Sequence, residues 1–344
     1  MTIADFLAEW HQDSPTVLVH TSGSTGQPKP LWVEKRRMEA SARITCDFLG
    51  LKEGDTALLC MSLDYIAGKM MVVRSLLRGL RLIVVEPDGH PLRNVTQSID
   101  FAAMVPMQVY NSLQVPEERE RLRQIRQLII GGGAVDDALA AELIDFPHAV
   151  WSTYGMTETL SHIALRRLNG DGASDWYEPF PSVSVSQDND GCLIIDAPMV
   201  CPERLVTHDL VEISPQGSFR ILGRKDNVIC SGGVKIQIEE VERLLRPHLP
   251  VPFLISKRRD IRFGEAVVLL YERGCMEADS CPFTAGEQEY NLRQICESVL
   301  PRYWRPRDYV AVGQLPLTTT GKPARAEAER MVANSLREGS QAPL

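Results

Sequence analysis

Between Thr56 and Gly155 five short apolar runs, TALLCM (56–61), RLIVVEP (81–87), FAAMV (101–105), QLIIGGG (127–133) and AVWSTYG (149–155), alternate with stretches of helical periodicity. No other feature of the 344-residue chain restricts its fold as strongly. Runs this short suit strands covered on both faces, and RLIVVEP, closed by its proline, is expected to be one. Between the first two runs Ile66, Met70, Val73 and Leu77 recur at helical spacing up to Gly79, a natural stop. Further helices are expected near 106–124 and 136–145. Alternation of this kind builds a parallel sheet with helices on both faces.

After about residue 180 the texture changes to short strands separated by turn signals such as Asn189–Asp190–Gly191 and Gln216–Gly217. A second change comes at Gly223–Arg224–Lys225–Asp226, beyond which an amphipathic helix over 238–246 stops at Pro247 and two strands follow. The expected fold class is α/β. Residues 1–224 are expected to form a large N-terminal domain with a mostly parallel sheet plus a β-rich section, and residues 225–344 a small mobile α+β C-terminal domain.

Composition narrows the function. A formal net charge of −8 argues against a general nucleic-acid or anionic-membrane binder. The acidic start MTIADFLAEW does not read as a signal peptide, and no apolar stretch approaches the roughly 20 residues that span a bilayer. The eight cysteines are scattered without zinc or disulfide-framework spacing, so a cytoplasmic protein with reduced thiols and no membrane insertion is expected.

Four stretches carry candidate chemistry. TSGSTGQPK (21–29) follows an apolar run but matches neither the Walker nor the dinucleotide loop. Gly23 and Gly26 let the backbone turn several amides toward one point, Thr21, Ser22, Ser24 and Thr25 add hydroxyls, and Lys29 adds a charge. Such a loop suits a polyphosphate; taken alone it also reads as a polar turn. Gly131–Gly132–Gly133–Ala134 offers bare backbone on which a flat ligand can lie. Tyr154–Gly155–Met156–Thr157–Glu158–Thr159 sets an aromatic face, a tight turn, a hydroxyl and a carboxylate together, with Glu158 a candidate Mg2+ ligand. Asp209, in THDL, can accept from two ribose hydroxyls. Each of these has a plain structural reading when taken singly.

Together, and with GRKDNVICSGGVKI (223–236) and LPLTTTGKPAR (315–325), they make the chain resemble the adenylate-forming enzymes, which include acyl-CoA synthetases, nonribosomal-peptide adenylation domains and luciferases. The resemblance covers about residues 16–330. It implies that Thr21–Lys29 holds the β- and γ-phosphates of ATP, and that Gly133, Ala134, Tyr154 and Gly155 hold adenine. It further implies that Thr157 and Glu158 address the α-phosphate and Mg2+, and that Asp209 and Arg224 hold the ribose. Lys322 would reach the α-phosphate and the substrate carboxylate. Asp226 would be the hinge of a rotating C-terminal domain. Gly232 and Gly233 would line the path of the coenzyme A thiol arm, although they read equally well as a hairpin turn.

The implied chemistry is attack of a carboxylate on the α-phosphorus of ATP, with loss of pyrophosphate, followed by transfer of the acyl group to a thiol. Within the family the chain is most similar to o-succinylbenzoate–CoA ligases of menaquinone biosynthesis. It departs from them at Asp64–Tyr65–Ile66–Ala67–Gly68, where that group tends to place a histidine before Ile-Ser-Gly. The second carboxylate of o-succinylbenzoate calls for a cation, for which His162, Arg166 and Arg167 are candidates. Family members usually carry well over a hundred residues before the phosphate loop. Here 20 precede it, so the expectation is a compact member, monomer or homodimer. Two other readings stay open: an aryl or acyl adenylating enzyme loading CoA or a carrier protein, and a non-catalytic adenylate-binding protein.

Overall fold

The structure, a computed structural model, describes residues 1–20, 30–273, 285–318 and 322–339. The chain divides into two compact units. One is Met1–Thr207 with Glu212–Arg220; the other is His208–Val211 with Ile221 onward.

In the first unit, helix α1 (Ile3–Trp10) starts from a reciprocal cap between Thr2 and Asp5. Strands β1 (Thr16–His20) and β2 (Pro30–Glu34) form an antiparallel hairpin. The loop between them lies outside the described residues, and with it the expected phosphate-binding residues Thr21, Ser22, Gly23, Ser24, Thr25, Gly26 and Lys29. Helix α2 (Lys35–Phe48) follows, then β3 (Thr56–Leu59), α3 (Ile66–Arg78), β4 (Arg81–Val84) and β5 (Phe101–Met104). Gly79 ends α3 in the left-handed conformation (φ +67°), as a C-terminal glycine does. The helical stretch expected over 106–124 is two helices, α4 (Pro106–Gln114) and α5 (Pro116–Arg123). Pro116 cannot continue the first and is well suited to start the second. Next come β6 (Gln127–Ile130), α6 (Asp137–Leu143), β7 (Ala149–Gly155), β8 (His162–Arg167) and β9 (Glu178–Pro179).

β3 to β9 form one sheet in the order β4-β3-β5-β6-β7-β8-β9. The pairings from β4 to β7 are parallel, and β8 and β9 add antiparallel. The apolar faces of β3, β5 and β6 meet Val109, Leu113, Leu122, Leu139 and Leu143 from the helices in one core. RLIVVEP differs from the expectation of a strand covered on both faces: β4 is the edge strand, and Val84 is 55% exposed. The turn-rich region supplies β10 (Ser184–Gln187), β11 (Cys192–Asp196), β12 (Leu205–Ile213) and β13 (Phe219–Arg224), a four-stranded sheet in that order.

The second unit has a five-stranded sheet of β14 (Val228–Ser231), β15 (Val234–Gln237), β16 (Phe253–Asp260), β17 (Gly264–Glu272) and β18 (Asp308–Val312). Three helices accompany it: α7 (Ile238–Leu245), α8 (Ala285–Val299) and α9 (Arg325–Gly339). α7 and α8 share one core with the sheet through Val241, Leu245, Leu292 and Cys296, while Ala328 and Val332 of α9 sit in another with Val268 and Leu270. Among the described residues no helix is long and apolar enough to cross a membrane.

Candidate active site

The parallel strands β3, β5, β6 and β7 all deliver their following loops to the same edge of the sheet, where ligands of open α/β sheets bind. Two of the expected motifs are on that edge. Gly131 follows β6, and its amide donates to the Met104 carbonyl at 3.0 Å. A Cβ on Gly131 would lie 2.4 Å from Thr153 Oγ1, so side chain is excluded there by β7. Gly132 has φ +77°, which bends the chain toward Gly133 and Ala134.

The second motif is tighter. A Cβ on Gly155 would stand 2.2 Å from the Ser161 carbonyl oxygen and 2.5 Å from His162 Cα. Only glycine lets the 156–161 turn close back on its own strand. Inside that turn Thr159 Oγ1 donates to the Ser161 carbonyl at 2.7 Å and accepts from the Met156 amide at 3.0 Å. Leu160 is held at φ 66°, ψ −33°, a region that a non-glycine residue enters only under constraint from its surroundings. Thr157 is buried, and Glu158 projects into solvent. Tyr154 is buried, its ring 5.1 Å from Phe219 in an edge-on arrangement and 5.9 Å from Tyr177.

Among the described residues no group of three or more His, Cys, Asp or Glu side chains is placed to hold a metal ion. A lone, solvated Glu158 nonetheless fits Mg2+, which characteristically takes one or two protein carboxylates and completes its shell with substrate phosphates and water.

The candidate cations for the acid are held in different ways. His162 is buried between Thr45 Oγ1, 3.2 Å from Nε2, and Ser161 Oγ, 3.1 Å from Nδ1. Burial first, and then the nearby Arg74 charge, hold its pKa well below the usual histidine value. It is therefore a neutral hydrogen-bonding group and not the cation expected from the sequence. Arg166 pairs with Asp175 at 2.9 Å and lies over the Tyr177 ring, and Arg167 stacks on Trp151 and bonds Asn169.

The cation beside this turn is instead Arg74 of α3, which the sequence reading did not single out. It is 2% exposed, donates to Ser161 Oγ at 2.6 Å, and has a buried Nε without a hydrogen-bond partner. No carboxylate among the described residues forms an ion pair with it. Burial pushes its pKa down to about 10. The sequence did carry a signal. Lys69 and Arg74 are the two cations inside the otherwise apolar IAGKMMVVRSLL, and a helix that buries most of its surface buries them too.

The second unit brings Asp209, Arg224, Asp226 and Lys322 together. Arg224 pairs with Asp209 at 3.0 Å and with Asp226 at 3.4 Å, and His208 Nδ1 lies 2.7 Å from Asp226. The hydrogen bond with His208 is the main reason that Asp226 is held below the ordinary carboxylate range. Burial lowers the pKa of Lys322, the Arg224 charge lowers it further, and Asp209 opposes both. Its chain position is fixed on both sides. The Thr318 amide donates to the Lys322 carbonyl at 2.7 Å. Three residues on, Arg325 grips the buried Glu242 with both guanidinium nitrogens, at 2.6 and 2.7 Å. Gly232 and Gly233, with φ +59° and +84°, are the two central residues of the β14–β15 hairpin, a backbone shape nearly restricted to glycine and asparagine.

Comparison with known proteins follows the same lines. Residues 5–201 match the family model described as "AMP-binding enzyme". An acyl-CoA synthetase (AMP-forming)/AMP-acid ligase II-like protein from Dyadobacter fermentans is 34% identical. The match covers 94% of this chain and 91% of that one, with a TM-score of 0.62. The O-succinylbenzoate coenzyme A synthetase of Bacillus subtilis, solved with ATP and magnesium ion, superposes with a TM-score of 0.72 at 24% identity, over 90% of this chain and 69% of that one. The 2-succinylbenzoate–CoA ligase of Bacillus cytotoxicus is 24% identical over 92% of this chain and 70% of its own length.

Proposed function

The chain belongs to the AMP-binding enzyme family, and from that premise we propose that it is an ATP-dependent acid–CoA ligase whose acid carries a second carboxylate, with o-succinylbenzoate the favoured substrate. The observation that carries the second carboxylate is Arg74, a buried guanidinium with no carboxylate partner among the described residues, hydrogen-bonded to the residue that closes the Tyr154–Ser161 turn. A buried cation of this kind is costly unless something anionic arrives to meet it. The names of the relatives support the same acid.

In the first half-reaction a carboxylate oxygen of the acid attacks the α-phosphorus of ATP in line, and the bond to the bridging oxygen breaks to release pyrophosphate. The attacking group is already an anion, so no general base is needed. What the protein must supply is placement of two anions and stabilisation of the charge that spreads over the α-phosphate. Lys322 is assigned to that charge, and Asp209 and Arg224 to the ribose. Thr157 is assigned to the α-phosphate, and Gly133, Ala134, Tyr154 and Gly155 to adenine. Glu158 would hold Mg2+, which supplies charge neutralisation on the phosphates, and the Thr21–Lys29 loop would grip the departing β- and γ-phosphates. In the second half-reaction the thiolate of coenzyme A attacks the carbonyl of the acyl-adenylate and AMP leaves. Gly232 and Gly233 are assigned to the path of the thiol, and Asp226 to the hinge at which residues 225–344 turn against residues 1–224.

Acid-dependent exchange of pyrophosphate into ATP tests this. Exchange with o-succinylbenzoate well above that with benzoate, and thioester formation on adding coenzyme A, are the expected results. Exchange without thioester would point to a carrier protein as acceptor. No exchange with any acid, with AMP still bound, would refute the ligase reading in favour of an adenylate-binding protein.

A further inference from the structure

Lys69 is the other cation buried in α3, and nothing in the reaction scheme uses it. Its side chain is 2% exposed. The ammonium donates to the Leu18 carbonyl at 2.6 Å, lies 3.9 Å from Glu9 Oε2, and sits 5.5 Å from the Phe6 ring centre. Glu9, in α1, takes the other polar group of the same residue: its Oε1 accepts from the Leu18 amide at 3.3 Å. Both main-chain groups of Leu18 are thus satisfied by charged side chains from two different helices.

Leu18 is on β1, three residues before the Thr21–Lys29 loop. β1 pairs only with β2 as its strand neighbour among the described residues, so the edge away from β2 has no ladder to fix it. The Glu9–Leu18–Lys69 contacts do that work. Two residues further on, His20 bridges to Tyr65, the residue that caps α3. The start of α3 packs tightly on the preceding loop, where a Cβ on Gly68 would lie 2.3 Å from the Ser62 carbonyl oxygen.

We propose that Lys69 and Glu9 form a latch that positions the strand entering the phosphate loop and thereby sets the grip on the β- and γ-phosphates of ATP; this rests on the ATP-dependent reading above. Lys69 is a positioning residue in this scheme, since its contacts are with Leu18, Glu9 and Phe6. A purely hydrophobic helix contact at this place would hold α1 and α3 together without an ammonium. The charge is needed where a carbonyl on an unpaired strand edge must be held at one point.

The test is calorimetric titration of the intact protein with Mg-ATP and, separately, with AMP, for wild type, Lys69→Met, Lys69→Arg and Glu9→Ala. AMP lacks the phosphates that the loop would hold. Lys69→Met is expected to weaken ATP about tenfold and to leave AMP within twofold, with Lys69→Arg recovering most of the loss and Glu9→Ala falling between. Equal weakening of ATP and AMP, or unchanged ATP affinity in both Lys69→Met and Glu9→Ala, overturns the latch. Failure of the wild type to bind ATP overturns the parent reading and the latch together. If Lys69→Met does not fold, the ATP-to-AMP ratio of Glu9→Ala decides.

Discussion

Replacing Arg74 by methionine separates a binding residue from a structural one. The fall in its pKa from the ordinary arginine value to about 10 corresponds to about 3 kcal/mol of penalty on the charged form. Against that stands one charge-assisted hydrogen bond, to Ser161 at 2.6 Å, with a net worth of about 2 kcal/mol. Arg74→Met keeps the volume and removes both. The ligand-free protein is therefore expected to be as stable as wild type or about 1 kcal/mol more stable, a rise of roughly 2–4 °C in Tm for a unit of this size. Activity should move the other way. Removing one partner of a buried charge pair costs about 2–5 kcal/mol, so kcat/KM for o-succinylbenzoate should fall by about 30-fold to several thousand-fold. A monocarboxylic aryl acid, which never used the guanidinium, should be activated no worse than by wild type. Thermal melts without ligand and pyrophosphate exchange with the two acids, for wild type and variant, supply the comparison. A large drop in Tm, or an equal loss with both acids, would falsify the assignment and leave Arg74 as a packing residue.

Gly155→Ala drives a methyl into backbone atoms at 2.2 and 2.5 Å that cannot swing aside, so about 1–3 kcal/mol of stability should go, along with exchange activity. Gly133→Ala is the control, since its methyl would meet Pro106 Cγ at 3.4 Å and Cδ at 3.7 Å, close to ordinary contact, and a normal Tm is expected. His162, neutral when folded and free to protonate when unfolded, should make stability full above pH 6.5 and progressively lower as pH falls below it. Melts between pH 5 and 7.5 should lose part of that slope in His162→Gln; an unchanged slope would show that the imidazole is not held neutral. Burial and Arg224 lower the pKa of Lys322, so in its proposed role as the cation for the α-phosphate pyrophosphate exchange should decline on the alkaline side at a pH below the usual lysine 10.5. Asp209 opposes that shift, so Asp209→Asn should move the decline to still lower pH, whatever it does to the maximal rate.

The parallel core was legible because its strands are buried on both faces and read as unbroken apolar runs. The same property hid the position of β4: an apolar run does not say whether a strand has one neighbour or two, and RLIV has one. Helix near 106–124 is legible, and Pro116 marks where the stretch divides into α4 and α5. The Gly131–Ala134 and Tyr154–Thr159 segments were visible because their chemistry is contiguous in sequence. Arg74 was not, since it depends on which face of α3 meets Ser161, 87 residues away. The neutrality of His162 is out of the sequence's reach for a related reason: a titratable side chain takes its charge from burial, and burial is a tertiary property.

These contacts give α3 a role that a scaffold helix would not need. At its start, Tyr65 and Lys69 bind the strand that enters the phosphate loop. Little more than a turn later, Arg74 reaches the residue that closes the Tyr154–Ser161 turn. Between them Met70, Met71, Val72 and Val73 are all buried, so the helix has no freedom to roll and change one end without the other. An enzyme that joins two anions must fix both to the same frame, because a shift of about 1 Å between them costs on the order of a hundredfold in rate. On the reading proposed above, a single rigid helix that holds the strand before the loop through Lys69 and meets the Tyr154–Ser161 turn through Arg74 is a direct way to build that frame. It also explains why two such costly charges persist in so apolar a segment.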